Sequence, residues 1–96
     1  MSKFDYSEFE TQRKKISGKW KPVIMCLMQS RQLKFNKIKQ LLPLISSRIL
    51  SQCLKEMEIH GLITKHEISH YKLSELGSEI CGILIHLNEK IRKLPN

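Results

Sequence analysis

Ninety-six residues allow one modest hydrophobic core and leave no room for two. With 41% hydrophobic and 27% charged residues, the chain has the composition of an ordinary folded protein, which excludes collagenous and low-complexity classes. The net charge of +8 is unevenly spread: residues 11–55 carry eleven Lys or Arg and no Asp or Glu, whereas the remainder carries six basic and nine acidic residues. Such a segment suits a polyanionic partner, whether nucleic acid, an anionic membrane or an acidic protein.

The opening MSKFDYSEFE holds three acids and no apolar run, which excludes a secretory signal there. FDYSEFETQRKKISGKW alternates aromatic and charged residues and predicts a short helix ending near Gly18. A second helix is expected from Lys21 to about Ser30, with Pro22 in its first turn and Val23, Ile24, Cys26, Leu27 and Met28 largely buried. PVIMCLM, the longest apolar run, is far too short to cross a bilayer, so a cytoplasmic protein with no membrane partner is expected. QLKF is long enough only for a brief strand.

Asn36 is a suitable N-cap for a third helix, NKIKQLL, which Pro43 ends. Ser46 or Ser47 caps a fourth over about residues 46–60, and Gly61 supplies its stop. At 100° per residue, Ile49, Leu50, Cys53, Leu54 and Met57 share an apolar arc. Arg48, Ser51, Gln52 and Lys55 share the opposite side, which has no acid. The period then changes to alternation in LITKHEISHYKL, predicting two short strands and a tight turn. Ser74 caps a final helix with Glu75 in its first turn, where the helix dipole favours an acid. That helix runs to about Leu94 before Pro95, and Leu76, Ile80, Ile83, Leu84, Leu87, Ile91 and Leu94 recur along it at three- and four-residue intervals. The expected fold is mainly α with a small β-hairpin: a winged helix-turn-helix with an extra helix at each end.

GKW, FNKIKQLLPLISSRILSQCLKEMEIHGLI and YKLSELG, within residues 16–77, resemble the HxlR-type transcriptional regulators, which are relatives of the MarR group. The resemblance implies a single domain over residues 1–96. Residues 1–18 would be an N-terminal dimerisation helix, 19–73 the winged-helix core and 74–96 a C-terminal dimerisation helix. It also implies a homodimer that regulates transcription by binding a palindromic operator in double-stranded DNA, with the fourth helix in the major groove and the hairpin as the wing. Three features depart from the family pattern. No cysteine precedes Cys26, Ser7 standing near the place where many members carry one; the wing is short; and Cys53 stands where a basic residue is frequent.

In that architecture the acid-free face is a candidate DNA-reading surface. Arg48 can donate two hydrogen bonds to guanine, and Gln52, one turn on, can pair with adenine. Ser46, Ser47, Ser51 and Lys55 suit phosphate contacts or water-mediated positioning. Asn36, Lys37 and Lys39 open the helix that crosses the DNA backbone, with Lys19 and Lys21 flanking it. Lys65, His66 and His70 lie in the wing. The stripe Ile80, Ile83, Leu84, Leu87 and Ile91, with the aromatics Phe4, Tyr6 and Phe9, is the expected dimer interface.

Other chemistries find little in the chain. His60, His66, His70 and His86 are scattered, without the carboxylate or cysteine cluster a metal needs. Cys26, Cys53 and Cys81, at spacings of 27 and 28, match neither a disulfide framework nor a zinc motif and are expected to be buried free thiols. No nucleophile–base pair or glycine-rich phosphate loop occurs, so no catalytic residue and no cofactor are expected. A winged helix can also serve as a protein-interaction module without base readout; specific, salt-dependent duplex binding separates the two. RNA or anionic-surface binding is disfavoured because no exposed stacking aromatics are expected on the basic segment.

Overall fold

The computed structural model describes residues 3–96. Its elements are α1 (Tyr6–Arg13) running into a 3-10 turn (Lys14–Ile16), α2 (Lys21–Leu27), β1 (Leu33–Lys34), α3 (Phe35–Leu41), α4 (Ser47–Ile59), β2 (Ile63–His66), β3 (His70–Leu73) and α5 (Glu75–Ile91). The core gathers Ile24 and Met25 from α2, Ile38 from α3, Leu50, Leu54 and Met57 from α4, and Ile63, Tyr71 and Leu73 from the strands.

Local chemistry sets most helix ends. The Asp5 carboxylate accepts from the Glu8 amide at 3.1 Å and Ser46 Oγ from the Ile49 amide at 3.1 Å, each satisfying an otherwise orphaned helix donor. Beyond α4, the Gly61 amide donates to Glu58 O at 3.0 Å and the Leu62 amide to Met57 O at 2.9 Å. This paired closure needs a left-handed residue, which Gly61 supplies at φ 75°. Ser74 Oγ accepts from the Gly77 amide at 2.9 Å and donates back to Gly61 O at 2.6 Å. One hydroxyl therefore caps α5 and fastens it to the end of α4.

Several expected boundaries move. α2 stops at Leu27, short of Ser30, because the chain turns through Ser30 at φ 63° while Arg31 Nε donates to Leu27 O at 3.0 Å. α3 begins at Phe35, so Asn36 sits inside its first turn and is not the N-cap. The cause is long-range: Lys34 is held extended opposite His70, and the Phe35 amide donates to Ser69 O at 3.0 Å. β1 therefore joins the expected hairpin in a three-stranded antiparallel sheet of order β1-β3-β2. The wing turn lacks glycine and is made with Glu67 at φ 50° and Ser69 at φ 67°. Ile49, expected in the apolar arc, is 38% exposed on the flank of α4. Of the three cysteines expected to be buried free thiols, Cys81 is in the core, its thiol 3.7 Å from Met25 O, whereas Cys26 and Cys53 are only half-buried.

Candidate nucleic-acid interface

α3, a short turn and α4 form the helix-turn-helix, and a lysine fastens the turn. Lys39 Nζ donates to Ile45 O, closing the loop between the two helices. Lys39 is thus half-buried and engaged within the fold, a correction to its expected phosphate contact. Ile45, 1% exposed, plugs the same turn from the core side.

α4 buries Leu50, Leu54 and Met57 and leaves Ser47, Arg48, Ser51, Gln52 and Lys55 exposed. The opposition of faces expected from the helical period is present, and Ser46 stands at its N-terminal end as the cap. Its hydroxyl oxygen accepts from the Ile49 amide, which leaves its proton free to donate to a phosphate oxygen. Arg48, Lys37 and Lys55 enter none of the ion pairs among the described residues. Asn36 and Lys37 are exposed in the first turn of α3. Lys19 is exposed and lies over the Trp20 ring, 4.9 Å from its centroid.

Lys21 is a second correction. Only 9% exposed, it is not available to flank a phosphate backbone, because its Nζ donates to Glu56 Oε1 at 2.8 Å. Gln52 Nε2 donates to the other carboxylate oxygen, Oε2, at 3.3 Å. The hydrogen bond from Lys21, then that from Gln52, hold the Glu56 carboxyl below the usual carboxylate range. Glu56 is the first acid after the acid-free segment, and its engagement with two side chains far apart in sequence was not foreseen.

The wing separates residues that were grouped. Strand partners share a face and neighbours alternate. Thr64 pairs with Lys72, and Lys34, His70 and His66 are aligned across all three strands, so these five lie on the outer face. Lys65 pairs with Tyr71 on the other face, its Nζ 5.9 Å from the centre of the Tyr71 ring. His66 Nε2 is 2.7 Å from Thr64 Oγ1. Lys34 and Lys72 are exposed on the same face as His66 and were not singled out from sequence; the two-residue period identifies Lys72, and only the β1–β3 register identifies Lys34. His70 is half-buried, its Nδ1 4.0 Å from the Glu67 carboxylate.

The remaining apolar surface lies elsewhere. α1 has no buried residue, and Phe4, Tyr6 and Phe9 are exposed, the two phenylalanine rings 5.2 Å apart. On α5, Ile83, Leu87 and Ile91 are exposed while Ile80 and Leu84 are partly packed against the core. An open apolar groove between α2 and α5 is lined by Val23, Cys26, Leu84, Leu87 and Ile91. No group of three or more metal-ligating side chains occurs among the described residues, and none of their helices is long and apolar enough to cross a membrane.

Comparison with known proteins agrees with this architecture. The HxlR-like helix-turn-helix family profile matches residues 15–95. An uncharacterized HTH-type transcriptional regulator of Methanothermobacter thermautotrophicus is 34% identical over 80 residues, covering 77% of this chain and 61% of the relative. The uncharacterized HTH-type transcriptional regulator YtcD of Bacillus subtilis is 36% identical over 75 residues, covering 72% of this chain and 60% of the relative. The matches thus span about three fifths of those relatives' length. The crystal structure of the HTH-type regulator ytcD superposes with a TM-score of 0.79 at 33% identity, covering 84% of this chain and 88% of that one.

Proposed function

The chain belongs to the HxlR-like helix-turn-helix family of transcriptional regulators, and from that premise we propose that it is a homodimeric, sequence-specific DNA-binding regulator acting in the cytoplasm on a palindromic operator. The observation that carries this reading is the outer face of α4: Arg48, Ser51, Gln52 and Lys55 are all exposed, and the acid beside them, Glu56, is engaged by Lys21 and Gln52. Helix-turn-helix docking inserts the N-terminal part of such a helix into the major groove. Arg48 and Gln52 read base edges there, since their planar donor and acceptor groups match guanine and adenine. Ser46, Ser47, Ser51, Lys55, Asn36, Lys37 and Lys19 position the protein on phosphates. His66, with Lys34 and Lys72, faces the neighbouring backbone from the outer face of the wing, and Lys65 reaches it only from the wing's edge.

Dimerisation follows from the two unpartnered apolar surfaces. An eight-residue helix is too short to persist alone in water, and α1 buries nothing in its own protomer. Phe4, Tyr6 and Phe9, packed with Ile80, Ile83, Leu84, Leu87 and Ile91 of a two-fold-related copy, remove both surfaces from water together. In this reading residues 1–96 act as one domain, with 1–18 and 74–96 as the dimerising segments around a 19–73 DNA-binding core. The role is non-enzymatic and needs no cofactor.

Selection of bound duplexes from a random pool tests the proposal. The expected product is a palindrome with half-sites about one helical turn apart. Recovery of no consensus, with binding that depends on salt alone, would favour a protein-interaction module.

A further inference from the structure

A carboxylate on a DNA-reading helix is costly, because it repels every phosphate near it. Glu56 nevertheless sits one turn beyond Gln52, with its two oxygens divided between unlike partners. Oε1 accepts from Lys21 Nζ at 2.8 Å, and Oε2 accepts from Gln52 Nε2 at 3.3 Å. The Lys21 side chain is 11% exposed and anchored at the start of α2, whereas the Glu56 side chain is 40% exposed. The buried end of the chain of contacts is therefore fixed and the outer end reaches the reading face.

A glutamine side chain free on a helix surface samples many rotamers, and ordering it on DNA costs entropy. Its amide can also turn over, exchanging donor and acceptor. A carboxylate accepts only, so it admits just the NH2 end of Gln52 and turns the carbonyl oxygen away. One Gln52 N–H is occupied by Glu56, leaving the other N–H and Oε1, the donor and acceptor that adenine N7 and N6 require.

We infer that Glu56 is a positioning residue for specificity: anchored by Lys21, it holds the Gln52 amide in the orientation that reads one base pair, while its charge lowers affinity for all DNA. The inference rests on the base-reading role proposed for Gln52. It predicts two effects of opposite sign from one side chain, which a purely structural ion pair would not produce.

The test uses the duplex selected above, with each base pair varied in turn, and fluorescence anisotropy at one salt concentration. Gln52→Ala first identifies the base pair that Gln52 reads. Glu56→Ala is expected to lose about threefold in discrimination at that base pair alone, the worth of one ordered hydrogen bond, and to bind random duplex more tightly. Glu56→Gln should show the same tighter random binding and the same selective loss, because its single amide oxygen goes to the buried Lys21 ammonium and its NH2 group, a donor, then faces Gln52. The double variant Lys21→Met with Glu56→Ala, which leaves no unpaired buried cation, should repeat the selective loss with an intact fold. Unchanged discrimination in Glu56→Ala and the double variant, or equal loss at every base pair, would overturn the inference while leaving Gln52 as a reader. If Gln52→Ala relaxes no base pair, the base-reading role itself is wrong and the inference falls with it.

Discussion

Gly77 and Gly82 lie on the same helix, and alanine at the two positions should move stability in opposite directions. A Cβ built on Gly77 would lie 1.9 Å from the Leu62 carbonyl oxygen and 3.0 Å from its carbon. Carbon and carbonyl oxygen ordinarily approach no closer than about 3.3 Å, so the backbones must separate by more than an ångström. The carbonyl has no freedom to yield alone. It accepts from the Ser74 amide at 3.0 Å, and its own residue's amide closes α4 onto Met57 O at 2.9 Å. Separation would therefore lift the first turn of α5 from the α4–β2 junction. Overpacking of this kind costs about 3 kcal/mol or more, against a helix-propensity gain of about 1 kcal/mol. Gly77→Ala should accordingly lose about 2 kcal/mol, a fall of roughly 8–16 °C in Tm for a chain of this size. At Gly82 a Cβ meets nothing within 4 Å. Gly82→Ala should gain about 0.5–1 kcal/mol from helix propensity alone. Urea and thermal unfolding followed by circular dichroism, at one protein concentration because a dimer's stability depends on it, would measure both. A Gly77→Ala protein melting with the wild type would refute the close contact between α5 and Leu62.

Three further outcomes are expected. Glutamate at Ile83 or Leu87 should abolish the dimer and operator binding together, measured by sedimentation and anisotropy on the same samples; a monomer that binds as tightly removes the α5 stripe from the interface. The folded-state pKa of Glu56 is depressed by Lys21 and then by Gln52, so its stabilising effect is present above the unfolded carboxylate value and is lost as pH falls through the lower folded value. Glu56→Gln should lower Tm at neutral pH and converge with the wild type in acid, and a Tm difference that persists unchanged into acid would contradict this. Burial pushes the Cys81 and Cys53 thiols up, the neighbouring Cys26 thiol adding to the effect at Cys81, so mild peroxide or diamide should leave operator binding unchanged. Release of the operator, reversed in Cys26→Ser, Cys53→Ser or Cys81→Ser, would show a thiol switch instead.

The features legible in the sequence are those set by local chemistry. The helical period of α4 and α5, the alternation of the wing, and the caps at Ser46, Ser74 and Gly61 each depend on a few neighbouring residues, and the structure has them where they were expected, except that α5 ends at Ile91, short of Leu94. Features that depend on distant partners were not legible. A two-residue strand has no period, so the pairing of β1 with β3 was invisible, and with it the start of α3 at Phe35. Lys21 and Lys39 counted as cations of the basic segment, yet the fold spends one on Glu56 and the other on Ile45 O. Charge in a sequence does not say which charges remain free. Within the wing the two-residue period alone places Lys65 and His66 on opposite faces and sets Lys72 on the same face as His70.

The most direct measurement compares the selected duplex with a scrambled one of equal length, titrated across a range of salt concentrations with wild type, Arg48→Ala and Lys37→Ala. If α4 reads bases and the first turn of α3 holds phosphates, Arg48→Ala should lose about 1–3 kcal/mol on the selected duplex and little on the scrambled one. Lys37→Ala should weaken binding to both and reduce the salt slope by about one. Indistinguishable behaviour of the two variants on both duplexes would contradict the assignment of α4 as the reading helix.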